Sequence, residues 1–261
     1  MDGAALAGAI AASHARVVSA LDALPDDELV APSRLPDWNR LTVVCHIRYG
    51  ATAVDRMVRA AVAGEPALFY PGGRAEQRPG TLVPLPGESP RDVVSSFAGA
   101  CAALDTTLAE VRDWSAVFRE PEGVVDIGPQ TVFQLAVLRL TEVDVHAVDL
   151  DVGIEHWSDA FVEVGLPLRL DRLGKRLSNN PSGERVTGTW LLRERGDGAH
   201  VVTATGDGVS TRDASPDEDA DGVITASRRD LIALMLGRDF EGDVEFSNDF
   251  ARSFTSAFPG P

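Results

Sequence analysis

The chain has 261 residues, 44% hydrophobic and 25% charged, a globular composition that excludes disordered and collagen-like chains and allows one large or two modest domains. With 24 Lys+Arg against 40 Asp+Glu the formal charge is −16, which disfavours a non-specific grip on nucleic-acid phosphates or anionic lipid. The acidity is spread over both halves, as expected of a solubilising surface and not of an acidic tail.

An Ala-rich periodic segment, Ala4 to Leu24, predicts a first helix ended by Pro25. Asp2 precedes it, no basic n-region is present, and His14 and Arg16 interrupt it, so it reads as a mature helix and not as a signal peptide. No run reaches the roughly 18 uninterrupted apolar residues of a membrane span. A second helix follows Leu35-Pro36-Asp37-Trp38, with Asn39 as N-cap, and stops near Ala63 before Gly64 and Pro66. Residues 70–87 form a long Pro/Gly-rich stretch that reads as a functional or covering loop. Ser89-Pro90 opens a third helix, to about Arg112, in the favoured cap-then-proline order. A fourth, strongly apolar helix is predicted from Pro129 to about Leu150. Beyond Gly153 come an amphipathic helix (Asp159 to Leu177), the breaker cluster Asn179 to Gly183, and strands at Arg185 to Glu194 and His200 to Thr205 flanking an Arg195-to-Gly198 turn. A strand at Gly222 to Ala226, a helix at Ser227 to Leu236 and a strand at Val244 to Phe246 complete the reading. The expected architecture is an all-α N-terminal domain, residues 1–155, joined to a smaller α+β domain, residues 156–261.

Chemistry concentrates on two of these helices. Leu135, Leu138, Glu142 and His146 fall at spacings of three, four and four, so the two polar groups continue a leucine stripe facing the core. Val43, His46, Gly50, Ala53 and Met57 form a similar row on the second helix. An inward carboxylate is costly unless satisfied, and two imidazoles with one carboxylate are the ligand set of an open catalytic zinc site. The competing reading keeps His46 as a hydrogen-bonded core residue and pairs Glu142 with Arg139 at i−3. His14, His156 and His200 are further candidate ligands, ranked below His46. Asp149 reads either as an acceptor orienting an imidazole or as a solvated charge, and Trp38 as a packing anchor. The two cysteines, Cys45 and Cys101, are far apart. They form no disulfide framework or CxxC motif, read as buried free thiols, and suit a reducing cytoplasm.

The segments Leu35 to His46, Tyr70 to Arg74 and the E-x-x-x-H-A-V-D-L element at Glu142 to Leu150 resemble the mycothiol-dependent maleylpyruvate isomerase family. The later Leu236-Gly237-Arg238-Asp239 and Gly242-Asp243-Val244 resemble its C-terminal region. The resemblance implies a DinB-like four-helix bundle followed by a sterol-carrier-like α+β domain. It implies a divalent metal, zinc by ligand type, on His46, Glu142 and His146, with mycothiol as cofactor. Arg238 would serve as the catalytically important arginine, against the alternative of a surface arginine paired with Asp239 or Asp243. Asn39 departs from the family's usual threonine at the helix start. An actinobacterial source is implied as well, in keeping with 23 arginines beside the single Lys175.

The implied reaction is cis–trans isomerisation of maleylpyruvate or a similar maleyl-type acid: thiolate addition to the conjugated double bond, rotation, then elimination. The expected partners are a small electrophilic acid and a low-molecular-weight thiol, on a cytoplasmic monomer or weak homo-oligomer. Two other readings stay open. One is a mycothiol S-transferase that keeps the thiol attached to its electrophile, and the other a non-catalytic, metal-stabilised binding protein.

Overall fold

The computed structural model describes residues 1–124, 127–176, 186–196, 198–258 and 260. They divide into two compact units, Met1–Phe161 and Val162–Pro261, where the sequence reading draws its boundary at 155/156. The predicted breaker cluster at 179–183 lies outside the described residues, as does position 197 of the predicted turn.

The first unit is built on four long helices: α1 (Gly3–Asp22), α2 (Arg40–Ala63) and, after a short helix α3 (Arg74–Gln77), α4 (Pro90–Glu110) and α5 (Val132–Asp149). Each long helix begins where a side chain takes up an otherwise orphaned backbone N–H. Asp2 accepts from Ala5 and Asn39 from Thr42, while Ser89 with Asp92 and Thr131 with Gln134 form reciprocal capping boxes. Gly64, at φ 71°, ends α2 in the left-handed conformation that glycine adopts freely. Helices α1 and α2 each pack against both α4 and α5. Val17, Leu21, Val43, Ile47, Phe97, Val143 and Ala147 are among the residues of the core between them.

One expectation changes here. The fourth helix starts at Val132 and not at Pro129, because Gln130–Thr131 (β2) first pairs antiparallel with Val117–Phe118 (β1), and Thr131 then serves as cap. Among the described residues, α1 is long and apolar enough to cross a membrane by length and composition. The sequence expectation concerns uninterrupted apolar runs, and α1 is interrupted by Ser13, His14, Arg16 and Ser19. In this fold Leu6, Ile10, Val17 and Leu21 of α1 are buried in the protein interior.

The Pro/Gly-rich stretch is pinned to α2. Arg56 donates to the carbonyls of Leu68 (3.0 Å) and Phe69 (2.9 Å), the Tyr49 hydroxyl donates to Phe69 O (2.7 Å), and Arg48 binds the Glu88 carboxylate (2.8 Å). These ties sit at the two ends of the stretch, and within it Tyr70 stacks on Tyr49 of α2 at 5.2 Å between ring centroids.

The second unit takes up most of α6 (Asp159–Arg176) and a five-stranded sheet. Strands β3 (Gly188–Glu194), β4 (Ala199–Thr205), β5 (Gly208–Asp213), β6 (Gly222–Ala226) and β7 (Glu245–Phe246) stand in the order β5-β4-β3-β6-β7. All neighbours are antiparallel except β3 with β6. The edge strand β5 was not foreseen, since its Ser210, Arg212 and Asp213 are exposed and give no strong apolar alternation. Helix α7 (Arg228–Leu236) follows β6, and α8 (Asp249–Arg252) and α9 (Phe254–Ala257) close the unit. Buried Trp190 stacks on Phe250 at 4.7 Å and meets Phe254 and Phe258 edge-on. Gly222 is required there: a Cβ would come within 2.7 Å of the Ala251 backbone nitrogen.

Candidate metal centre

Residues 46 and 142 are 96 positions apart, yet α2 and α5 bring them together. His46 Nε2 lies 3.1 Å from Glu142 Oε2, and His146 Nε2, one turn further along α5, lies 3.7 Å from the same oxygen. The imidazoles face each other at 5.0 Å between centroids and an interplanar angle of 84°. One ligand atom from each of the three residues lies within 4.8 Å of the others. A tetrahedral site with zinc–ligand bonds of about 2.05 Å has ligand atoms about 3.4 Å apart, and the 3.1 and 3.7 Å separations bracket that value. The longer one exceeds hydrogen-bonding reach. Two imidazoles and a carboxylate at such spacings fit a divalent cation with a position left for another ligand.

Each imidazole is held differently. His146 Nδ1 lies 2.9 Å from Oδ2 of buried Asp149. A carboxylate only accepts, so Nδ1 carries a proton toward Asp149 and Nε2 is the ring nitrogen that faces Glu142. His46 meets the ring edge of Trp38 at 5.5 Å. Trp38 is aimed by a turn in which its N–H bonds Leu35 O (3.2 Å), with Pro36 and Asp37 between them. Asp37 has φ 64°, a left-handed conformation that Asp tolerates better than most side chains. The Pro36-Asp37 pair signals the turn in the sequence, but the contact of the following ring with His46 is made only in the fold.

Glu142 is crowded from behind yet exposes 44% of its side chain, against 17% for His46 and 13% for His146, so the cluster opens to solvent. Partial burial works against the carboxylate's charge. The His46 hydrogen bond and the positive fields of His146, His46 and Arg139 outweigh it and hold the carboxyl well below its ordinary range.

The i−3 pairing of Glu142 with Arg139 that the competing reading offers does not form. Arg139 turns into the core, donating to His14 Nε2 (2.9 Å), Ile47 O (2.7 Å) and Cys101 Sγ (3.6 Å). His14 is accordingly buried at 2% exposure, with Nδ1 against Asp105 (2.7 Å), and stands apart from the cluster. His156 is exposed, and His200 lies between Glu194 (3.1 Å) and Asp213 (3.0 Å) in the second unit. Both cysteines are buried, and burial pushes each thiol up to about 11. Neither is a nucleophile at neutral pH. Arg238 follows the left-handed Gly237 cap of α7 in the second unit, where its guanidinium donates to Leu236 O (3.1 Å).

Fold and cluster together define a two-unit protein in which a helical unit carries a potential three-ligand centre and a separate sheet unit follows. The family model described as the mycothiol maleylpyruvate isomerase N-terminal domain matches residues 10–151, and the chain belongs to that family. Two solved structures share the fold over the whole of this chain and 96% of theirs, with a TM-score of 0.66 and 20% identity. They are the mycothiol-dependent maleylpyruvate isomerase and a histidine-to-alanine mutant of it. No curated protein matches this chain.

Proposed function

We propose that this protein is a mycothiol-dependent cis–trans isomerase of maleylpyruvate or a similar maleyl-type acid, with a divalent metal, zinc by ligand chemistry, held by His46, Glu142 and His146. The supporting observation is the convergence of those three side chains from two helices inside the segment that the family model matches. On the same reading the helical domain is a DinB-like four-helix bundle spanning residues 1–155. The remainder, 156–261, is a sterol-carrier-like domain, and the protein works in a reducing cytoplasm.

A cation bound there would supply Lewis acidity that lowers the proton affinity of a thiol brought to it. The chain's own groups do the rest. Asp149 keeps the proton of His146 on Nδ1, so Nε2 remains an unprotonated donor. Glu142, held ionised, would offset part of the charge of a cation placed there, more than a third imidazole would. Trp38 packs against the His46 ring and helps fix its orientation. Arg238 is assigned to the substrate carboxylate or to the developing oxyanion, for which a guanidinium fork is suited.

The test is direct. Pure protein given mycothiol and maleylpyruvate should yield the trans isomer with the free thiol recovered, and His46→Ala or His146→Ala should lower zinc stoichiometry measured by elemental analysis. Accumulation of a stable thioether would instead assign S-transfer. Wild-type zinc content in both variants would reject the ligand set.

A further inference from the structure

Arg139 has no exposed surface and sits one turn before Glu142 on α5. Its guanidinium reaches all three of the other long helices: His14 on α1, the Ile47 carbonyl on α2 and Cys101 on α4. Ile47 is the residue immediately after His46. Gly50, a turn beyond His46, makes room for the contact, since a Cβ there would stand 3.3 Å from Nη1.

The acceptors are unusual for a buried cation. His14 takes a proton on Nδ1 toward Asp105 and offers Arg139 a neutral ring nitrogen. Ile47 offers a carbonyl, and Cys101 a protonated thiol. None of the three carries a full negative charge. Burying a charge against neutral acceptors costs desolvation that such bonds offset only in part, so the arrangement is weak evidence for a role in stability. What an apolar side chain cannot do is bond the Ile47 carbonyl and so fix the turn of α2 that carries His46 against the turn of α5 that carries Glu142.

From this geometry we infer that Arg139 is a positioning residue that sets the register of α2 on α5 and so holds His46 in apposition to Glu142 and His146. The inference rests on the metal reading above and assigns no contact with substrate. It separates two quantities that a purely structural residue would move together: affinity for the metal and stability of the metal-free fold.

The experiment is zinc titration of the full-length protein against a competing chelator, alongside thermal melting of the metal-free form, for wild type, Arg139→Met and Arg139→Lys. Arg139→Met should bind zinc about 10- to 100-fold more weakly, the range typical when a group supporting a ligand is lost, while its melting temperature stays level or rises. Arg139→Lys, which keeps a donor within reach of Ile47 O, should recover part of the affinity. A folded Arg139→Met with wild-type zinc affinity overturns the inference. Should Arg139→Met fail to fold, Gly50→Ala decides, because it displaces the guanidinium without removing it: several-fold weaker zinc binding supports the inference and an unchanged constant overturns it. If the wild type itself takes up no zinc, the metal reading fails. Positioning is then decided by the His46 ring signals in nuclear magnetic resonance, which should move in the variant with the best-preserved fold and overturn the inference if they do not.

Discussion

His14 shows how one side chain records its surroundings in a measurable way. Burial first, then the charge of Arg139, draws its pKa down to about 4, despite the opposing Asp105 carboxylate. The folded protein thus refuses a proton that the unfolded chain accepts near 6.5. The unfolded state binds more protons between these values, so this contribution is fully present above pH 6.5 and is lost as the pH falls toward 4, up to about 3 kcal/mol. His14→Gln keeps an acceptor for Arg139 and removes the titration. Urea unfolding at pH 6.5, 5 and 4 should show the variant losing less stability than wild type across this window, with parallel curves above it. Identical slopes would mean that His14 titrates normally in the fold. The same residue was a candidate ligand by helical spacing alone, and only its partners separate it from His46.

At the scale of an element, α2 and α5 were legible because their ends carry local chemistry: Asn39 before α2, and an apolar stripe running into Glu142 and His146. The start of α5 was less so, since the β1 pairing that delays it comes from a segment 13 residues away. Asn39 caps α2 through its side-chain oxygen, which accepts from the Thr42 N–H at 2.8 Å. Replacing it by Ala should cost about 1 kcal/mol of stability, measured in denaturant. His46 lies about two turns inside the helix, beyond the reach of fraying at the first turn, so zinc stoichiometry should stay at the wild-type value. Loss of zinc in Asn39→Ala would mean that the cap and the cluster form one cooperative piece. The strap that aims Trp38 is the exception to this legibility, because a Pro-Asp turn signals a change of chain direction and not what the following ring will touch.

For the whole molecule, the division of labour between two units can be tested at Arg238. The proposed metal ligands all lie in the first unit and Arg238 in the second. If the arginine serves substrate, Arg238→Ala should leave zinc content and melting temperature unchanged while kcat/KM drops roughly 10- to 100-fold, the worth of a charge-assisted hydrogen bond. Unchanged kinetics would return it to a capping role beside Leu236, whose carbonyl it already binds. If the substrate is an organic acid as proposed, a protein of formal charge −16 has reason to keep a cation for the encounter, since the summed field repels an anion.

What the amino-acid order determined alone is whatever rests on near neighbours: helix periods, caps, the i,i+4 pairing of Glu142 with His146, and the absence of a cysteine framework. What tertiary structure decided is whatever depends on the rotation and depth of one helix against another. That His46 meets the Glu142–His146 pair, that Arg139 turns to His14, Ile47 and Cys101 and away from Glu142, and that a polar segment becomes the edge strand β5 all follow from packing between residues distant in the chain. Hydrophobic periodicity tells which face of a helix is buried but leaves open what it is buried against. The contacts that fix a partner are made only once the core closes.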